Sequence, residues 1–287
     1  MNIRPGKKLN RWHSVLKNGR YKAEAFLRER EKYCVSASAR FLGMKERRNH
    51  IWYMPGAEGE ISALLIHSRQ TLFPVFNKNP QIPAPRFLNR FLGKVYIHAL
   101  QGLREDAERL ETLMEDQGYY AADRIEYELM NLDGALKPGT LRAGPAALTL
   151  RPPLPKDEDA LFALQSAYEQ EEVLPLNAVF NPAVTRLNIQ NIIEREQVLV
   201  AELDGQVVGK INTSAESFTR YQIGGVYVRP DCRNLGIGAR MTAVFAEGLL
   251  TQGKGLSLFV KKRNAAACKV YRKIGFNVTA DYRITYY

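Results

Sequence analysis

The stretch from Ile223 to Ala239 constrains this chain most. Val226-Tyr227-Val228 is β-branched and aromatic, which favours a strand. Arg229-Pro230-Asp231 interrupts it. A loop containing Gly236 and Gly238 follows, and a helical pattern begins at about Ala239. A strand that feeds a glycine-containing loop at a helix N-terminus makes an anion site. The first-turn N–H groups lack helical partners and the helix dipole favours negative charge there. Glycines also let a phosphate approach the backbone closely.

The spacing decides between phosphate ligands. A dinucleotide fingerprint needs a small residue at position 241 and an acid about 20 residues on. Met241 stands there and the acid is missing. A P-loop needs Lys-Ser or Lys-Thr after its last glycine, where this chain has Ala239-Arg240. Arg233-x-x-Gly236-x-Gly238 instead resembles the acyl-CoA pyrophosphate loop of the GCN5-related N-acetyltransferases (GNAT), Gln/Arg-x-x-Gly-x-Gly/Ala. Downstream, Leu256–Val260 reads as a strand. After it, Asn264 opens a helix that Tyr271-x-x-x-Gly275-Phe276 closes, similar to the family's second motif. The resemblance covers roughly residues 147–287.

That resemblance implies an α+β (mixed α/β) fold, a central, mostly antiparallel sheet flanked by helices. It implies acyl transfer, normally acetyl, from acetyl-CoA to an amine by direct attack in a ternary complex. The loop Arg233, Asn234, Leu235, Gly236, Ile237, Gly238 and Ala239 would hold the pyrophosphate. Val226, Tyr227 and Val228 would line the pantetheine and thioester, Val226 and Val228 through their backbones as an added strand would. Asn264 matches the residue that contacts the pantetheine arm. Tyr271 matches the tyrosine that protonates the leaving thiolate; its alternative is a packed helix tyrosine. Gly224-Gly225 marks a bulge or a close backbone approach, and in the family the strand splays from its neighbour there. No carboxylate lies on that strand, which offers Gln222 and Tyr227. Glu171 and Glu172 are therefore candidates for accepting a proton or holding a cationic substrate, against the alternative of a solvated helix end. Val173–Phe180 would shape the acceptor pocket. Cys268, one turn before Tyr271, reads as a small buried cysteine.

Charge is uneven. The chain of 287 residues carries a formal net charge of +11. Residues 1–50 hold 14 Lys/Arg against 4 Asp/Glu, and the rest is nearly balanced. The basic segment could meet an acidic or nucleic-acid partner. It reads equally as a solvated helix face laced by pairs such as Glu24–Arg28. Cys34, Cys232 and Cys268 are scattered and odd in number, and the four histidines show no ligand spacing, so neither a disulfide framework nor a metal site is expected. No apolar run reaches the roughly 18 residues of a membrane span, and no secretory signal is visible. A cytoplasmic location is the default.

In chain order, residues 1–18 show no clear pattern and Arg20–Met44 reads as one helix. Strands are expected at His50–Met54, Ile61–His67 and Thr71–Phe76. A short helix is expected at Phe87–Leu92, a strand at Val95–Leu100, a helix at Arg104–Gln117 and a strand at Tyr127–Leu132. This order resembles the same fold without its motif, a degenerate second copy, with a separate lid or docking domain as the alternative. The expected domains are 1–140 and 147–287, separated within the Pro/Gly-rich stretch 137–155. In the second, helices at 157–170, 183–196, 239–252 and 264–274 alternate with strands at 147–151, 197–203, 206–213, 221–228 and 256–260, and a strand pair at 276–287 completes it. Asp204-Gly205 is a hairpin signal. Beside the acyltransferase stand two other readings: a CoA-binding or partner-binding module without catalysis, and a nucleic-acid-associated factor using residues 1–50.

Overall fold

The computed structural model describes residues 12–15, 19–44, 50–56, 59–78, 91–142, 144–175 and 178–287. The chain divides into two compact units, residues 1–128 with 280–287, and residues 129–279.

The first unit carries β1 (His13–Ser14), α1 (Arg20–Glu29), α2 (Val35–Gly43), β2 (Ile51–Pro55), β3 (Ile61–Ser68), β4 (Thr71–Phe76), β5 (Ala99–Leu103) and α3 (Arg104–Glu115). β6 (Asp123–Leu132) begins here and ends in the second unit. The last strand, β12 (Asn277–Tyr286), begins in the second unit and ends here. The strand order is β1-β2-β3-β4-β5-β12-β6. Strands β2, β3 and β4 form an antiparallel meander, while β4 runs parallel to β5 at Thr71↔Ala99 and Leu72↔Leu100. Leu65, Leu72, Leu100, Ala107, Leu110 and Met114 form the core under α3.

One buried ion cluster holds β12 in place. Arg283 donates to Glu126 at 2.6 Å, Glu108 at 2.9 Å and Glu111 at 3.2 Å, and the Thr285 hydroxyl also reaches Glu111.

Two expectations differ in this unit. The single helix over Arg20–Met44 is two helices with a 3₁₀ turn at Glu31–Tyr33 between them. No glycine or proline marks the break. Instead Phe26 and Leu27 on one side, and Val35 and Phe41 on the other, are all buried. The strand expected from Val95 starts at Ala99. Of the helix expected at Phe87–Leu92, only Phe91 and Leu92 fall within the described residues, as do only His13–Val15 and Trp12 of residues 1–15. The Glu24–Arg28 pair forms as expected, at 2.9 Å.

The second unit carries β7 (Thr149–Arg151), α4 (Glu158–Tyr168), a π-helical turn (Glu169–Val173), α5 (Pro182–Arg195), β8 (Val198–Leu203), β9 (Gln206–Glu216), β10 (Arg220–Val228), α6 (Ile237–Leu250), β11 (Gly255–Lys261) and α7 (Ala265–Ile274). The order is β12-β6-β11-β10-β9-β8-β7. β7 to β10 are antiparallel and β10–β11 is parallel, so this is the mixed, mostly antiparallel sheet flanked by helices that was expected. Asp204 and Gly205 both have positive φ, 50° and 78°, as the β8–β9 hairpin turn requires. Met241, Phe245 and Leu249 of α6 bury their stripe against Leu256, Leu258, Ile274 and Phe276. Where a strand pair was expected at the C-terminus, one ten-residue strand runs; Thr279-Ala280-Asp281 offers no glycine or proline to turn it.

Candidate acyl-CoA site

The site is built where β10 leaves β11. The two strands pair only at Arg220↔Gly255, Tyr221↔Leu256 and Gln222↔Ser257. Both continue, β10 to Val228 and β11 to Lys261, without further pairing. On the other side of β10, the register with β9 slips between Gly224 and Tyr227, leaving Gly225 and Val226 with no opposite number. Gly225 has φ +60°. A Cβ there would lie 2.0 Å from Asn212 Oδ1 and 2.7 Å from Lys210 Nζ, so only glycine fits. The strand therefore bulges beside the gap, as the paired glycines led us to expect.

The loop that follows closes over the start of α6. Gly236 is the helix N-cap in left-handed geometry, φ +81° and ψ 0°, with no side-chain cap on the first turn. The helix starts at Ile237, two residues earlier than the pattern indicated, because Gly236 rather than Gly238 makes the turn. Arg240 N–H is bonded to the Gly236 carbonyl. The preceding amides of Ile237, Gly238 and Ala239 are the first-turn donors, which helical geometry leaves without intrahelical acceptors. Asn234 also has positive φ, 63°. Leu235 is about half exposed, while Ile237 is buried in the core.

Arg233 turns back from this loop. Its Nε donates to the Val228 carbonyl at 3.1 Å, and its two terminal nitrogens donate to Glu171 at 2.9 and 2.7 Å. The Tyr227 hydroxyl donates to the same carboxylate at 3.1 Å. The Arg233 hydrogen bond, helped by that of Tyr227 and opposed by burial, holds the Glu171 carboxyl below its ordinary value. Burial, then Glu171, push the Tyr227 phenol up.

The π-helical turn sets the acids. Leu174 N–H bonds to the Glu169 carbonyl at 2.8 Å, and one added residue per turn re-aims three glutamates. Glu169 goes inward, where Gln165, Asn188 and Thr185 all donate to it. Glu171 meets Arg233. Glu172 accepts from Asn264 Nδ2 at 3.1 Å and lies 3.6 Å from Lys261 Nζ. Between the π-helical turn and α5, Val179 is 90% exposed, and Leu176 and Asn177 lie outside the described residues.

Asn264 caps α7, its Oδ1 accepting from Ala267 N–H at 3.0 Å. Tyr271 is on the same helix, 8% exposed, edge-on to Phe276 at 6.1 Å between centroids. Burial, then the neighbouring Tyr168, Glu172 and Cys268, push its phenol well above the ordinary value. Cys268 is buried, as expected.

The sequence reading missed Lys210. It sits mid-strand on β9, fully buried, and donates to Gly225 O at 3.0 Å and Asn212 Oδ1 at 3.1 Å. Its ammonium lies 5.0 Å over the Tyr168 ring. Burial lowers its pKa to about 7, with Glu169 pulling the other way. The one available signal was a lysine in the middle of an apolar strand, between Val208 and Ile211.

In the first unit the ladder between β4 and β5 also ends early, after Thr71↔Ala99 and Leu72↔Leu100, but the strands stay close. Pro74 then offers no N–H, and its carbonyl would stand 3.1 Å from a Cβ on Gly102. The Phe76 N–H is taken by Asp106 Oδ2 at 3.1 Å.

Residues 161–276 match the model of the Acetyltransferase (GNAT) family. This segment is a GNAT domain. Solved structures similar in fold include a Drosophila protein (TM-score 0.60, 13% identity, 98% of this chain and 99% of that one). A GCN5-related N-acetyltransferase from Sphaerobacter thermophilus has TM-score 0.54 and 19% identity over 96% and 94% of the two chains. A tandem GNAT protein from the clavulanic acid biosynthesis pathway has TM-score 0.55 and 13% identity over 96% and 97%. At these identities the likeness to the GNAT proteins is one of fold. No curated protein matches significantly. Among the described residues, no helix is long and apolar enough to cross a membrane and no His/Cys/Asp/Glu group could hold a metal ion.

Proposed function

We propose that the GNAT domain transfers an acetyl group from acetyl-CoA to an amine by direct attack in a ternary complex. The observation that carries this is the parting of β10 from β11 at Gln222, beside the Gly225 bulge and ahead of the uncapped N-terminus of α6. Together they offer backbone donors for an extended pantetheine arm and for its pyrophosphate.

In this reading the pyrophosphate sits on the loop Arg233–Ala239, held by main-chain amides and the helix dipole. Val226, Tyr227 and Val228 flank the pantetheine, with main-chain groups of Val226 and Val228 as partners. Asn264 contacts the arm by its Nδ2, exchanging its bond to Glu172. The acceptor nitrogen attacks the thioester carbonyl carbon, forming the C–N bond and an oxyanion that backbone N–H groups stabilise. Collapse breaks the C–S bond, Tyr271 donates a proton to the departing thiolate, and the proton released by the acylated nitrogen restores the phenol through solvent. Its raised pKa keeps the phenol protonated until that moment, and a thiolate of ordinary pKa near 8.5 is a base that only a well-placed phenol can serve. Glu172, and Glu171 once Arg233 turns to the phosphate, add negative charge beside the groove for a cationic acceptor. The close approach of Pro74 to Gly102 leaves no such gap between β4 and β5, which supports the first unit being a degenerate copy that leaves CoA to the second. Among the described residues of the basic segment, Arg20, Arg28 and Arg30 are engaged locally, with the Phe41 carbonyl, Glu24 and Glu29, as a solvated helix face would have them.

The test is release of free CoA thiol from acetyl-CoA in the presence of a panel of amines: polyamines, amino acids, aminoglycosides and peptide N-termini. Acceptor-dependent thiol release supports transfer. Saturable acetyl-CoA binding with no release from any amine would favour a CoA-binding module without catalysis.

A further inference from the structure

The bulge in β10 needs something to hold it, and Lys210 does so. Gly225 and Val226 have lost their β9 partners, and β11 has already turned away. A strand segment freed on both sides would adopt several backbone conformations. Here its carbonyl at Gly225 is bound by a fully buried ammonium or amine, and that nitrogen is itself held by Asn212 and faces Tyr168. Gly225 also has no room for a side chain on the Lys210 side.

The peptide joining Gly225 to Val226 is planar and trans, so its C=O and N–H point in opposite directions. Tying the carbonyl to Lys210 fixes the plane of this peptide, and with it the direction of the Val226 N–H, beside the point where β10 and β11 stop pairing. A hydrogen-bond donor on the carbonyl also polarises the whole peptide and strengthens its N–H as a donor in a low-dielectric setting, most strongly when the Lys210 nitrogen is protonated. From this geometry we infer that Lys210 is a positioning residue: it orients and polarises the Val226 N–H so that this amide binds the thioester oxygen as it becomes an oxyanion. The inference rests on the acyltransferase reading above. A burial-lowered pKa of about 7 means that desolvation weakens the charge the peptide feels, while Glu169 supports it.

The experiment compares wild type with Lys210→Met, an uncharged residue of similar length. Acetyl-CoA labelled with ¹³C at the carbonyl is bound to each, and the thioester band is read by isotope-edited infrared spectroscopy. Affinity for acetyl-CoA, kcat and KM are measured alongside. The expected result is an affinity within about threefold of wild type, a carbonyl band returned toward its position in free acetyl-CoA, and kcat reduced about tenfold or more, the loss typical of a weakened oxyanion donor. An unchanged band overturns the proposal. If turnover is lost with the band unchanged, Lys210 acts as a proton acceptor instead. Should Lys210→Met fail to fold, Lys210→Gln, uncharged and shorter in reach, is compared with wild type instead; a band that keeps its wild-type position there overturns the proposal. Wild type that does not bind acetyl-CoA overturns the acyltransferase reading and this inference with it.

Discussion

Arg233 grips the Glu171 carboxylate through both terminal guanidinium nitrogens, at 2.9 and 2.7 Å. One residue belongs to the candidate phosphate loop and the other to the π-helical turn 62 positions earlier. The carboxylate thus takes the charge that an incoming phosphate would meet. Glu171→Gln should release Arg233 and raise acetyl-CoA affinity severalfold, measured by calorimetry. Because both side chains are about 40% exposed, the loss in stability should stay below about 1 kcal/mol. Weaker binding by the variant would mean that Glu171 serves the ligand rather than competing with it.

Tyr271→Phe keeps the ring packed against Phe276 and removes only the hydroxyl. Turnover should fall by about 10²-fold, the usual scale for a lost general acid, while the dissociation constant for acetyl-CoA stays near wild type. Steady-state kinetics beside equilibrium binding separate the two. Unchanged kcat would return Tyr271 to a packing role.

Lys210 gives the fold a pH signature. Its folded pKa, about 7, lies below the ordinary lysine value near 10.5. Between those values the unfolded chain binds the extra proton, so stability rises with pH across that window. Wild type should therefore gain on Lys210→Met as pH goes from 7 to 10, read from urea unfolding at three pH values. A difference that stays flat would place the folded pKa near the ordinary value.

Arg283 ties the last strand to the first unit with its side chain only 10% exposed, between Glu108, Glu111 and Glu126. Arg124 still pairs with Glu111 and Arg104 with Glu108, and Glu108 and Glu126 are 41% and 31% exposed, so the loss stays below that of a fully buried pair. Arg283→Met should destabilise the protein by about 1–3 kcal/mol in chemical denaturation. The exposed pair Arg229–Asp231 is the control, and Arg229→Met should change stability by less than about 1 kcal/mol.

What was legible in the sequence is what is local. The strand, glycine loop and helix from Ile223 onward are encoded by neighbouring residues, as are the Asp204-Gly205 hairpin and the Asn264 cap. The helix start slipped by two residues because either Gly236 or Gly238 could have made the turn, and only the backbone shows which has positive φ. The break between α1 and α2 carries no glycine or proline; burial of Phe26, Leu27, Val35 and Phe41 overrides helix continuity. The π-helical turn has no sequence mark either, so the sequence could nominate Glu171 and Glu172 but not say that Arg233 and Asn264 hold them. Lys210 escaped because its meaning depends on a bulge in another strand, Gly225, 15 residues away.

The central claim is that acetyl-CoA lies on the loop ahead of α6. The most direct measurement is the melting temperature of wild type and Gly238→Glu, each with and without excess acetyl-CoA. Gly238 suits this because an added Cβ meets only an ordinary contact, 3.6 Å from Val228 Cγ2, so the new carboxylate should repel a phosphate without straining the turn. Ligand at 100 times its Kd should add about 2.7 kcal/mol to wild type, a rise of several degrees, and leave the variant unmoved. No rise in wild type, or an equal rise in both proteins, would contradict the account.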